Sequence, residues 1–129
     1  MPAIAIASWT YALWVSPTGR FRLLDWGTVT TPQHALGCET AQPLGLTLEL
    51  TMWMDEEAIP LRRPRNARAS ELLRAYQPHP GLHFGDVVFT GATDPSTDTV
   101  QGLTEDQALS LLDLYLLRIT ARVPGARLH

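Results

Sequence analysis

Lysine is absent from the chain, and all 10 basic residues are arginine. That composition reads first as a GC-rich coding bias, and it also has a physical effect. Every cationic contact the protein makes comes from a planar fork that grips carboxylate or phosphate through two bonds, not from a point-like ammonium. Cysteine is nearly absent too. Cys38 stands alone, which rules out an internal disulfide and fits a reducing, cytoplasmic setting. It reads as a small packed or half-exposed side chain and not as a reactive thiol. No apolar run approaches the ~18 residues of a membrane span. The apolar start "MPAIAIASWTYALWV" lacks a basic n-region and is interrupted by Ser8, Thr10 and Tyr11, so it reads as a strand and not a signal peptide. There is no G-x-S-x-G, no glycine-rich phosphate loop and no EF-hand spacing. The sequence therefore offers no positive signal for an enzyme or a bound cofactor.

The 129 residues suit one α+β domain spanning 1–129. With 45% hydrophobic and 18% charged residues, the chain is long and apolar enough to bury its own core. Charge is unevenly placed. Arg62, Arg63, Arg65 and Arg68 carry +4 within seven positions, which leaves −7 for the rest of a chain whose formal charge is −3.

Hydrophobic periodicity predicts a small antiparallel sheet in the order β-β-β-α-β-α, packed against a long C-terminal helix. Residues 3–15 read as a strand whose apolar parity switches, which calls for a bulge near Ala7–Ser8. "SPTG" (16–19) is turn chemistry, and residues 20–31 make the partner strand of a hairpin. Pro32, Gly37 and Pro43 mark 32–43 as a loop. "LGLTLELTMWM" (44–54) alternates strictly, which predicts one half-buried strand with Trp53 on its polar side. A short helix spans about 67–76 on the stripe Ala69, Leu72, Leu73, Tyr76, with Asn66 as N-cap. "QPHPGLH" (77–83) stops it, residues 85–91 form a further strand at the sheet edge, and 92–102 is a polar loop. The last helix, 105–122, opens on a Thr104–Gln107 capping box. Its seam of Leu109, Leu112, Leu116, Ile119 and Val123 is wide enough for internal packing, and it would also serve a homodimer.

Two constellations stand out as candidate sites. In "IPLRRPRNARAS" (59–70), Pro60 and Pro64 bracket an extended stretch that presents Arg62, Arg63, Arg65 and Arg68 near a helix start. Phosphate or partner carboxylates suit such a surface, and a solvated loop paired locally with Asp55, Glu56 and Glu57 is the alternative. Trp53 is a second candidate contact. His79 and His83 lie at i, i+4, but Pro80 and Gly81 forbid a regular helix there. With Asp86 they form a candidate metal or ligand turn that lacks an obvious third ligand by spacing. Asp94 and Asp98 suggest an Asx-turn.

"GRFRLLDWGTVTTP" (19–32) resembles the third-strand region of RuvC-type, RNase H-like nucleases over fourteen residues. That family needs an acid on its first strand, and "AIAIAS" (3–8) has none, so no catalytic residue carries over. The expected function is a non-enzymatic binding or regulatory module that uses the arginine-rich loop on an acidic protein surface or on a second copy of itself. The alternatives are a nucleic-acid accessory protein with the arginines as phosphate clamps and Trp53 as a stacking residue, and a small enzyme or ligand-binding protein built on His79, His83 and Asp86.

Overall fold

The computed structural model describes residues 9–29 and 31–122. Five strands make one antiparallel sheet: β1 (Tyr11–Val15), β2 (Phe21–Asp25), β3 (Ala41–Thr47), β4 (Leu50–Asp55) and β5 (Val87–Thr90), in the order β2-β1-β5-β4-β3. Two helical turns, α1 (Trp26–Val29) and α2 (Pro32–Leu36), follow β2, and α3 (Ala67–Leu73) follows the arginine loop. A two-residue ribbon, β6 (Thr93–Asp94) with β7 (Thr99–Val100), precedes α4 (Glu105–Arg122). The fold is the expected α+β sheet on a long C-terminal helix, but β5 lies at the centre of the sheet and not at an edge.

That central position explains its sequence. "VVFT" carries no alternation because all four residues are buried, as a strand covered on both faces requires. On one face Leu13, Val15, Met52, Val87 and Phe89 pack against Leu72 and Leu73 of α3 and Ala108, Leu111 and Tyr115 of α4. The other face holds Ala12, Trp53 and Val88 under Trp26, Leu36 and Val100. Removing a side chain the size of Leu or Phe from water in such a core contributes about 1.5–3 kcal/mol.

The stretch 44–54 is not one strand but a hairpin, β3–β4, turning at Leu48–Glu49. Cross-strand partners such as Leu44 and Met52 are both even-numbered, so the apolar face keeps its parity through the turn and mimics a single strand. Leu48, at the tip, is 94% exposed. Thr47 Oγ1 accepts a 3.1 Å bond from the Glu49 N–H, a local bond of the kind that often comes from Asn or Asp in a turn.

The expected loop 32–43 contains α2. Thr31 caps it through Oγ1, Pro32 occupies its first turn, and Gly37 closes it in the left-handed conformation. Those are start and stop signals of a helix, compressed here into five residues. The expected polar loop 92–102 likewise folds back as β6–β7. At its turn Asp94 Oδ1 accepts from Ser96 N and Ser96 Oγ, the predicted Asx-turn. The capping box of α4 forms in both directions, Thr104 N–H to Gln107 Oε1 and Gln107 N–H to Thr104 Oγ1. In that helix Leu112 and Ile119 face the core while Leu109 and Leu116 point outward with Leu117, so the inward stripe is displaced from the predicted seam. Val123 and the expected bulge at Ala7–Ser8 lie outside the described residues.

Asn66 ties these parts together. It is fully buried, and its side chain makes three hydrogen bonds inward. Oδ1 accepts from the Ala69 N–H at 3.0 Å and caps α3. Nδ2 donates to the Val15 carbonyl at 3.1 Å and to the Gly85 carbonyl at 2.9 Å. Its own N–H donates to the His83 carbonyl. One side chain thus joins the end of β1, the approach to β5 and the start of α3. Asn66→Ala removes the cap and orphans two buried carbonyls, so it should lower stability by about 2–4 kcal/mol. The urea midpoint measures this. Asn66→Asp should be no better than alanine, because it turns an acceptor toward those carbonyls.

Candidate functional site

The arginine loop leaves β4 and is not extended throughout. Residues 57–61 form a helical turn closed by two bonds, Arg63 N–H to the Ala58 carbonyl and Arg62 N–H to the Ile59 carbonyl. This is a Schellman-type ending, and Arg62 occupies its left-handed position at φ 56°. Glycine is the usual residue there, since a side chain costs roughly 1–2 kcal/mol in that conformation. The chain then runs straight through Arg65, which bridges Phe84. The Gly85 N–H donates to the Pro64 carbonyl at 2.8 Å. Gly85 has φ 77°, and a Cβ on it would lie 3.3 Å from Arg63 Cβ. The loop backbone is therefore pinned on both sides.

The four arginines do not act as one cluster. Arg62, Arg63 and Arg65 are exposed and Arg68 is half-buried. Arg68 packs under the β1–β2 turn, where a Cβ on Gly19 would lie 2.5 Å from its Nε. It also sits beside Tyr115, whose hydroxyl pKa is raised by burial and only partly offset by that guanidinium. Phe21 meets the Tyr115 ring edge-on at 5.4 Å. Arg68 therefore takes part in the packing of the turn on α4. Among the described residues no ion pair joins Arg62, Arg63 or Arg65 to Asp55, Glu56 or Glu57; the pair that forms nearby is Arg74–Glu71 at 3.0 Å. Of the solvated, locally paired loop, one of the three readings of the charge, the exposure is present and the pairing is not.

Trp53 is not the exposed aromatic its parity predicts. It is buried at 9% exposure, with Nε1 donating to Thr90 Oγ1 at 2.9 Å. The alternation is sound, but the face read as solvent lies under α1, α2 and the β6–β7 ribbon.

The histidine turn also spreads out. His79 is exposed, His83 is buried, and Asp86 is half-buried in a cleft. Among the described residues no three His, Cys, Asp or Glu side chains come together in a way that could hold a metal. Cys38 is half-buried; its thiol is pushed up by partial burial and by Asp55 and donates to the Thr40 carbonyl. No helix among the described residues is long and apolar enough to cross a membrane.

The cleft that holds Asp86 has a volume of about 440 Å³ and opens at the end of the sheet beside the arginine loop. Arg63, Arg20, Asp55 and Asp86 line it, together with Trp14 and Leu36. Arg22 stacks over Trp14 at 5.2 Å from the ring centroid. Sequence reading missed Arg20 and Trp14. Their signal lies in cross-strand register, which pairs Trp14 with Arg22 and Val15 with Phe21.

Two outcomes follow from this geometry. Arg62→Gly should leave stability unchanged or raise it by up to about 1 kcal/mol, because it relieves the positive φ; thermal unfolding reads the change. Burial lowers the His83 pKa, and its buried Nε2 has no hydrogen-bond partner among the described residues, so the fold prefers the neutral ring. The unfolded chain takes up a proton near 6.5. This contribution is thus intact above that value and is lost as the pH falls below it. Urea midpoints should drop between about pH 7 and about pH 5, and His83→Phe should flatten the slope.

A family model described as "Domain of unknown function (DUF3846)" matches residues 9–116, which includes the whole sheet, the arginine loop, the cleft and most of α4. No curated protein and no solved structure matches the chain. The chain belongs to the DUF3846 family.

Proposed function

We propose that the domain is a non-enzymatic binding module that docks an acidic protein surface on Arg62, Arg63 and Arg65. The observation that carries this reading is that three guanidinium groups stand exposed, without ion-pair partners among the described residues, on a loop whose backbone is fixed by Asn66, Ala58 and Pro64. A pinned loop loses little conformational freedom on binding, and forked donors suit carboxylates. The −7 charge on the rest of the chain disfavours the long phosphate track of a nucleic acid. Trp53, the aromatic that would stack bases, is buried. A second copy of the chain is a partner of the same kind. α4 leaves Leu109, Leu116 and Leu117 exposed, where another copy would pack while acidic residues meet the loop. The lone Cys38 agrees with a cytoplasmic setting.

A glutamate-rich peptide, labelled and titrated by fluorescence anisotropy, tests the reading beside single- and double-stranded DNA and RNA. The peptide should bind and weaken with salt, and Arg62→Gly/Arg65→Ala should reduce its affinity at least about tenfold without loss of stability. Nucleic-acid binding with a steep salt slope, abolished by the same pair, would replace the protein partner with a phosphate backbone. Peptide binding that is indifferent to the pair would move the contact elsewhere.

A further inference from the structure

The cleft beside the loop has a charge pattern of which the proposed function uses only Arg63. Strand register sets it. Val15 pairs with Phe21 and with Val87, and Met54 pairs with Val87. One step further along each strand stand Arg20, Ser16, Asp86 and Asp55, which fall in one row across the end of the sheet. They share the parity of Trp14, Val88 and Trp53, so they lie on the face turned away from α3 and α4. Arg63 leans over the row from the loop, against Gly85.

Cations and anions in the row are separated. Neighbouring strands lie about 5 Å apart, so the Asp86 and Asp55 backbones are neighbours while Arg20 stands roughly 10 Å from Asp86. Ser16 fills the interval, and its hydroxyl is occupied by Thr18 Oγ1 at 2.8 Å and the Arg20 N–H at 3.2 Å. Asp55 spends one oxygen on the Glu57 N–H at 2.8 Å. Among the described residues no ion pair joins Arg20, Arg63, Asp55 and Asp86. Two positive and two negative groups thus line one cleft of about 440 Å³ without neutralising one another. Such a wall is complementary to a ligand that is itself dipolar.

We infer that this cleft binds a small zwitterion, an amino acid or dipeptide. Its ammonium group lies over Asp86 and Asp55, its carboxylate is held by Arg20 at the far end of the row with Arg63 reaching over from the loop, and its apolar part rests on Trp14 and Leu36. The volume falls in the range of small-molecule sites. An anion alone would leave the paired carboxylates facing it, and a cation alone would face the arginines; only a ligand with both charges satisfies both ends.

Amide and indole chemical shifts of isotope-labelled protein, titrated separately with glycine, glycylglycine and 6-aminohexanoate to about 20 mM, test the inference at the millimolar affinity expected of so small a ligand. Saturable shifts at Trp14, Gly85 and Asp86 are expected, and which probe binds best tells the amino acid from the dipeptide by charge separation. Capping either end, as in acetylglycine or glycinamide, should abolish the shifts. Asp86→Asn and Arg20→Ala should each weaken binding about tenfold or more, as loss of one charged hydrogen bond predicts, with the rest of the spectrum unchanged. Arg62→Gly/Arg65→Ala should bind as the unaltered chain does, which separates this site from the docking loop. Absence of saturable shifts for all three probes, capped probes binding as well as free ones, or unchanged affinity in Asp86→Asn would overturn the assignment.

Discussion

The hydrogen bonds of one buried amide hold the molecule's working end together. Asn66 is surrounded by backbone, and each polar atom of its side chain meets a complementary one. A buried amide with this connectivity specifies geometry more than it adds stability, because every bond it makes in the fold replaces one it had with water. What it specifies is where the arginine loop ends. The loop cannot slide along the sheet without breaking the bonds to Val15 and Gly85, and α3 cannot start a residue earlier or later without losing its cap. The exposed side chains are therefore placed by an interior residue.

The two-faced sheet explains why charge gathers where it does. Strands β1, β4 and β5 are covered above and below, so polar groups are tolerated only where the strands run out. Ser16 and Asp86 lie just past the ends of β1 and β5 and Asp55 is the last residue of β4, all on one face, and the loop that carries Arg63 crosses beside them. The cleft is the natural place for charges, since water reaches it while the strand ends still fix the backbone. Gly85 permits the close approach by leaving free the space a side chain would fill against Arg63.

Local signals were legible in the sequence and layered ones were not. The Asn66 cap, the Thr104–Gln107 box, the Asp94 turn and the length of α4 rest on bonds between residues a few positions apart, so residue type alone carries them. The β3–β4 hairpin was hidden because its two strands share parity and its turn, Leu48–Glu49, lacks glycine, asparagine and proline. An eleven-residue strand in so small a sheet is itself unusual, and that length was the available clue. Trp53 was assigned to the correct side of its strand but to the wrong surroundings, because nothing near it in sequence announces that α2 and the β6–β7 ribbon cover that side. α2 had its cap, proline and glycine in plain view, and its brevity let the same residues read as a loop. In the site, the arginines were visible as a run, while their division between cleft, surface and the packing under Gly19 depends on contacts with β1, β2 and α4.

The central place of β5 has a consequence for how the chain reaches this state. β1–β2 and β3–β4 are local hairpins that can form early, yet they touch through β5, whose residues come after α3 in the chain. Until Val87–Thr90 is in place, β1 and β4 each expose an open edge and an apolar face. Closing the sheet is thus a late, non-local event that pays loop entropy before it gains contacts, the type of step that slows folding. During synthesis β5 emerges after both hairpins, so the edges of β1 and β4 lack their shared partner until Val87–Thr90 has been made.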